Sequence, residues 1–274
     1  MTGLVAAICA LFGLLIGSFL NVVIWRVPRK ESIVSPPSHC PGCDTPIANR
    51  DNIPVVSWLL LKGKCRNCQT KISARYPLVE LLTAGLWAAV GARFADDWVL
   101  PAYLIFTAGL IALAIIDLDT FLLPNRVLYP TGFISVPLLI VGAILDDNAK
   151  DIDRALIGGA GAFLFFFVIH VISPRGMGFG DVRLSFLLGT FLGYLGTAYV
   201  VGGLFAGFLL GAVIGVALML FKGRERNQAI PFGPFLVAGT LLFVLVGEPF
   251  VDWYQDLGTA NEALAAGSGE AISD

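Results

Sequence analysis

Charge is scarce in this chain. Of its 274 residues only 14% are Asp, Glu, Lys or Arg, against roughly 25% in a soluble globular domain. The hydrophobic share is 57% and the mean hydropathy is +0.81. These values exclude an ordinary soluble domain and point to a polytopic membrane protein. Net basic charge is also missing. At −2 overall, the chain lacks the cationic surface that nucleic acid binding requires, so no nucleic acid partner is expected. The apolar stretch from Thr2 to Ile24 lacks both a charged leading segment and a small-residue cleavage site. It therefore reads as a retained first helix and not as a cleavable signal peptide. No internal repeat is evident.

A helix needs about 20 mostly apolar residues to cross a bilayer. Eight stretches are candidates: 3–25, 78–95, 100–117, 127–145, 155–173, 182–195, 198–221 and 231–247. The sixth is short, and Gly193-Tyr194-Leu195-Gly196 is either a turn or a kink within one longer segment. The expected fold is all-α, with about eight transmembrane helices. Residues 1–25 form the first of them, 26–77 a small insertion, 78–247 the remaining membrane core, and 248–274 an acidic tail with too little apolar material for a core. The insertion carries Arg26, Arg29, Lys30, Arg50, Lys62, Lys64, Arg66, Lys71 and Arg75 against Glu31, Asp44 and Asp51. Basic loops stay in the cytoplasm, which places the insertion inside and the N-terminus outside. Eight crossings then put the acidic loop at Asp146, Asp147, Asp151 and Asp153 outside. The basic loop Lys222-Gly223-Arg224-Glu225-Arg226 falls inside and the acidic tail outside.

Four of the five cysteines lie in the insertion, as Cys40-Pro41-Gly42-Cys43 and Cys65-Arg66-Asn67-Cys68. Two CxxC pairs at this spacing read as a zinc ribbon, and four thiolates close a tetrahedral shell, which favours a structural ion. A reducing cytosol argues against the alternative of two disulfides. Cys9 reads as a small buried hydrophobe, His39 as a neighbour that four cysteines make superfluous, and His170 as a hydrogen-bonded helix residue.

Two acids stand where apolar runs meet the membrane surface. Asp117 closes one run, in Ile115-Ile116-Asp117-Leu118-Asp119. Asp181 opens another, after Gly176-Met177-Gly178-Phe179-Gly180. A carboxylate near lipid is costly and is by default a functional residue. Both fall at the cytoplasmic face, so they are candidates for a carboxylate pair that shares a proton, one member activating water and the other supplying a proton. Asp119, two residues from Asp117, cannot share its helix face. Gly178 and Gly180 leave room for an extended peptide backbone beside Asp181. A different class of reading is an ion or metal transporter or sensor, but that wants acids at the bilayer centre on facing helices.

Taken in order, several stretches resemble the bacterial prepilin peptidases, or type IV leader peptidases, which are membrane aspartic proteases of the GxGD type. The resemblance runs from about Gly13 to Gly239. It rests on Gly17-Ser18-Phe19-Leu20-Asn21 with Arg26-Val27-Pro28, and on the four cysteines. Asn52-Ile53-Pro54 with Ser57-Trp58-Leu59 and Ile72-Ser73-Ala74-Arg75-Tyr76-Pro77-Leu78-Val79-Glu80 continue it. Asp117 with Leu123-Pro124-Asn125, Gly178-Phe179-Gly180-Asp181 and Ile230-Pro231-Phe232-Gly233-Pro234-Phe235 complete it. The resemblance implies Asp117 and Asp181 as the catalytic pair and a bacterial inner-membrane location. It further implies cleavage of type IV prepilins or pseudopilins after a glycine at the cytoplasmic face. It also implies S-adenosylmethionine-dependent methylation of the new N-terminus. No glycine-rich nucleotide fingerprint accompanies that second activity here, and Glu80 is a family position to which the residues assign no firm role.

Overall fold

The computed structural model describes residues 1–174, 176–222 and 230–253. Among the described residues the protein is helical, with no strand. In chain order the helices are α1 (Thr2–Arg26), α2 (Val56–Leu60), α3 (Arg75–Arg93), α4 (Leu100–Thr120), α5 (Asn125–Leu145), α6 (Lys150–Ile172), α7 (Phe179–Leu195), α8 (Thr197–Lys222) and α9 (Gly233–Val246). Apart from the short α2, these occupy the eight apolar stretches. Five of them, α1, α4, α5, α6 and α8, are long and apolar enough to cross a membrane. The other three fall below that measure: α3 carries Arg75, Glu80 and Arg93, and α7 and α9 have only 17 and 14 residues. Helices thus stand at all eight expected stretches, but among the described residues five are candidate membrane spans.

The segment Gly193-Tyr194-Leu195-Gly196 is a turn between two helices. Gly196 sits at φ 149, where a side chain is strained, and α8 starts at the next residue. Asp151 and Asp153 lie in the first turn of α6, where acids suit the helix dipole, and not in a loop. The tail expectation changes in part: residues 248–253 are helical, with Val251 buried. Residues 254–274 and the basic loop at 223–229 lie outside the described residues.

Lipid gives helices no hydrophobic reason to associate, so close contact depends on small residues. The antiparallel α1 and α3 meet at glycines. A Cβ on Gly13 would stand 2.8 Å from the Ala84 Cα, and one on Gly17 2.7 Å from the Glu80 Cα. On α6 and α7, Gly158 and Gly193 are equally pressed, the first 2.6 Å from the Gly189 carbonyl and the second 2.7 Å from the Arg154 carbonyl. Around these pairs α4 is the central element. Tyr103, Phe106, Leu110, Leu113 and Ile116 are all fully buried. Phe106 stacks on Phe191 of α7 at 4.0 Å, and the Tyr103 hydroxyl donates to the Phe191 carbonyl at 2.8 Å.

Candidate active site and metal centre

The Phe106–Phe191 contact sets the register of two antiparallel helices. Asp117 lies eleven residues along α4 from Phe106, and Asp181 lies ten residues back along α7 from Phe191. At 1.5 Å per residue both acids stand roughly 15–17 Å from that contact, at the same end of the molecule. They are both buried, at 5% and 8% exposure. Helix α9 packs against both α4 and α7, and its first residue completes the site. The Gly233 backbone N–H donates to Asp117 Oδ2 at 3.1 Å. A Cβ on Gly233 would fall 2.7 Å from that oxygen. Pro234, in the first turn of α9, starts the helix at the place where proline is tolerated. Asp181 Oδ1 is buried with no hydrogen-bond partner among the described residues.

Leu123 ties the two halves together. Its side chain lies where a Cβ on Gly180 would meet it at 3.1 Å, and where one on Gly233 would meet it at 3.3 Å. The glycines therefore divide their work. Gly180 is small because Leu123 packs on it, whereas a Cβ on Gly178 would meet only ordinary contacts. Two further side chains hold this loop. His170 of α6 donates from Nδ1 to the Met177 carbonyl at 2.8 Å. Arg183, lying 4.7 Å over the Phe179 ring, donates to Asn125 Oδ1 and so joins α7 to the start of α5. Asp119 is turned away from the pair and is bound by Arg75 at an exposed position.

The four cysteines come together. The sulfurs of Cys40, Cys43, Cys65 and Cys68 all lie within 4.8 Å of one another, and Cys40 and Cys68 are 3.7 Å apart. With Zn–S bonds near 2.3 Å, a tetrahedron has edges of about 3.8 Å. The group can therefore hold a metal ion. No ribbon of strands carries it. Instead two matching knuckles do: Cys-Pro-Gly-Cys-Asp-Thr-Pro-Ile and Cys-Arg-Asn-Cys-Gln-Thr-Lys-Ile. Cys40 donates to the Thr45 carbonyl at 3.0 Å and Cys65 to the Thr70 carbonyl at 2.9 Å. Asp44 and Gln69 both take positive φ, and isolated bridges close each loop, His39 with Pro46 and Lys64 with Lys71. The absence of an internal repeat is thus corrected: an eight-residue repeat exists, too short and too divergent to be read without the bridges.

Thr70, through its hydroxyl and its backbone N–H, pulls the Cys68 thiol down to about 6. Backbone N–H groups of Cys68 and Asn67 pull Cys65 below its ordinary value. Cys40 is favoured as a thiolate by the Gly42 N–H, yet burial and the three sulfurs around it push it up to about 11. Thiolates bind zinc, and gathering four of them without a cation costs repulsion. His39 points instead to the Pro37 carbonyl, and Cys9 is buried against Gly91 in α3.

The sequence reading placed Gly233 in a matching stretch but gave it no role, because a main-chain donor leaves no side-chain signal. It read Arg26 only as one of the basic residues and part of a matching stretch, whereas it is buried and donates to the Ser32 and Pro36 carbonyls at 2.9 and 2.7 Å, fixing the start of the insertion.

Comparison with known proteins gives one answer. Residues 11–94 match the bacterial peptidase A24 N-terminal domain, and residues 104–218 match the type IV leader peptidase family. The chain is 37% identical to the prepilin leader peptidase/N-methyltransferase of Aeromonas hydrophila, covering 89% of this chain and 91% of that protein. It is 35% identical to the protein of that name from Bacillus subtilis, covering 90% and 97%, and 39% identical to that of Myxococcus xanthus, covering 84% and 69%. No solved structure matches. The matched regions carry the cysteine cluster and both buried acids, and the chain belongs to the type IV leader peptidase family.

Proposed function

We propose that this protein is an intramembrane aspartic endopeptidase that removes the leader peptides of type IV prepilins and pseudopilins, with Asp117 and Asp181 as its catalytic pair. The observation that carries the reading is that two buried acids, from α4 and α7, lie at one end of the helices, with the first turn of α9 holding Asp117. Relatives named as prepilin leader peptidases support the substrate class. The transporter reading has no such support, since both acids sit at one end of the helices.

Two carboxylates that face one another share a proton instead of both ionising, and Leu123 packs here against both Gly180, beside Asp181, and Gly233, which holds Asp117. The ionised member takes a proton from water, and the water oxygen attacks the scissile carbonyl carbon. The carboxylic acid hydrogen-bonds the developing oxyanion, and a proton then passes to the leaving amine. The Gly233 N–H fixes the orientation of Asp117, so one partner of the pair is immobilised before substrate arrives. The unpartnered Oδ1 of Asp181 is left to engage water or peptide. Gly178 offers the open backbone beside which an extended peptide fits.

The cysteine group is proposed to hold zinc, which would cross-link the two knuckles. N-methylation by S-adenosylmethionine is proposed from the names of the relatives alone. Glu80, the buried acid at the α1–α3 junction, accepts from the Val55 N–H at 2.7 Å, and no residue is assigned to that cofactor. No step is derived through it.

The test is cleavage of a prepilin by the purified protein in detergent. Asp117→Asn and Asp181→Asn should each abolish cutting while the protein stays folded. Asp119→Asn, which removes only an exposed ion pair, should cut at near the wild-type rate. Cutting by either of the first two variants would overturn the assignment.

A further inference from the structure

The insertion is joined to the helices at an unexpected depth. Glu80 stands in the second turn of α3, against Gly17 of α1, where a Cβ would fall 2.7 Å from the Glu80 Cα, and it accepts from the backbone N–H of Val55. Gly17 lies eight residues before Trp25 on α1, which is roughly 12 Å along the axis. Trp25 is exposed and carries the Arg29 guanidinium 3.6 Å over its ring. An exposed Trp under an Arg at a helix end marks the headgroup level of a membrane. Val55 is therefore anchored below that level. It is held at φ 59, unusual for a β-branched residue. At the same level α1 shows Phe19 to its surroundings and α3 shows Leu78, Leu81 and Leu82.

From Val55 the chain runs directly into α2. This helix exposes Val56, Leu59 and Leu60 at 47%, 61% and 76%, and Ile53 just before it is 50% exposed. Its other residues face inward: Ser57 is buried, and Trp58 donates to the Ile72 carbonyl. A soluble cap would have no reason to show water four large aliphatic residues within eight positions. Beyond the helix come Lys62 and Lys64, both exposed and neither in an ion pair among the described residues. Asp51 is taken by Arg66 at 2.6 Å, and Glu80 by the Val55 N–H at 2.7 Å.

We propose that α2 is an interfacial membrane anchor. Ile53, Val56, Leu59 and Leu60 sit in the acyl boundary, while Lys62 and Lys64 lie on the phosphates of anionic lipids. An amphipathic segment binds a membrane by these two contributions together. The insertion is thereby seated on the bilayer beside α1 and α3. The inference rests on the membrane setting of the family and not on which acid cuts.

The test replaces Leu60 by a benzophenone amino acid and irradiates the protein in nanodiscs, followed by intact mass measurement. The same amino acid at Phe19 serves as a lipid-facing control and at Gln69 as a water-facing one. A phospholipid adduct at position 60, in yield comparable to position 19, is expected. That yield should fall several-fold when phosphatidylglycerol is replaced by phosphatidylcholine, or when Lys62→Gln and Lys64→Gln are combined. No lipid adduct at position 60 while position 19 reacts would overturn the anchor. So would a cross-link at position 60 to added prepilin in place of lipid, which would make α2 a substrate surface. Leader cleavage is not read, so failure here leaves the peptidase assignment untouched.

Discussion

The decisive contact at the candidate site is made by a residue with no side chain. Gly233 holds Asp117 by its amide, and a Cβ there would crowd the same carboxylate at 2.7 Å. Gly233→Ala should therefore turn Asp117 out of line. A displacement near 1 Å in a catalytic group costs about 100-fold in rate. The expected result is a loss of prepilin cleavage on that order with unchanged helical content, read by turnover and circular dichroism. Gly161→Ala, where nothing lies within 4 Å of the added atom, should leave both unchanged. A second residue-scale prediction concerns pH. The hydrogen bonds from Arg66 hold the Asp51 carboxylate below its ordinary value. A depressed carboxylate contributes stability above its unfolded pKa, near 3.9, and loses it as pH falls through the folded value. Arg66→Gln should thus weaken retention of an ion by the cysteine group slightly at neutral pH, and the difference from wild type should vanish under acid. A difference that grew under acid would contradict the pairing.

At the scale of elements, the sequence disclosed what periodicity and spacing encode. Helices α4 and α5 were legible as the apolar runs 100–117 and 127–145, and the two CxxC pairs as a metal group. What stayed hidden depends on contact between distant segments. The depth of α2 is fixed by a hydrogen bond between residues 25 positions apart. The role of α9 is fixed by one between residues 116 positions apart. The knuckle repeat was masked because only its cysteines, threonines and isoleucines recur, the rest being free to vary once the main-chain bonds are made. This organisation predicts how the metal group fails. The insertion of about 50 residues is too small for a generous core of its own. Chelation, or Cys65→Ser, should release one metal ion per chain and unfold the knuckles, measured by elemental analysis and protease sensitivity between residues 38 and 72. The signal of the long helices in circular dichroism should persist, because glycine contacts between α1 and α3 and between α6 and α7 hold them without the insertion. Collapse of all helices on chelation would show that the insertion stabilises the whole bundle.

Across the whole molecule the charges are sorted by end. The end that holds the insertion and both buried acids also holds Arg26, Arg29, Arg50, Lys62, Lys64 and Arg75. The opposite end gathers Asp96, Asp97, Asp146, Asp147, Asp151 and Glu248, with Arg93 and Arg154 each engaged by an acid. Membrane insertion keeps lysine and arginine in the cytoplasm and is nearly indifferent to acids. The insertion end should therefore face the cytoplasm. That orientation suits a substrate whose basic leader stays inside while its apolar helix remains in lipid, with the cut at the boundary between them. Alkaline phosphatase is active only outside the inner membrane, so fusions read the orientation directly. Joined after Asn148, in the α5–α6 connection, it should be active; joined after Gln69, in the second knuckle, it should be silent. The reverse pattern would put Asp117 and Asp181 on the outer face, where a cytoplasmic leader never arrives, and the proposed substrate would have to be abandoned even with both acids intact.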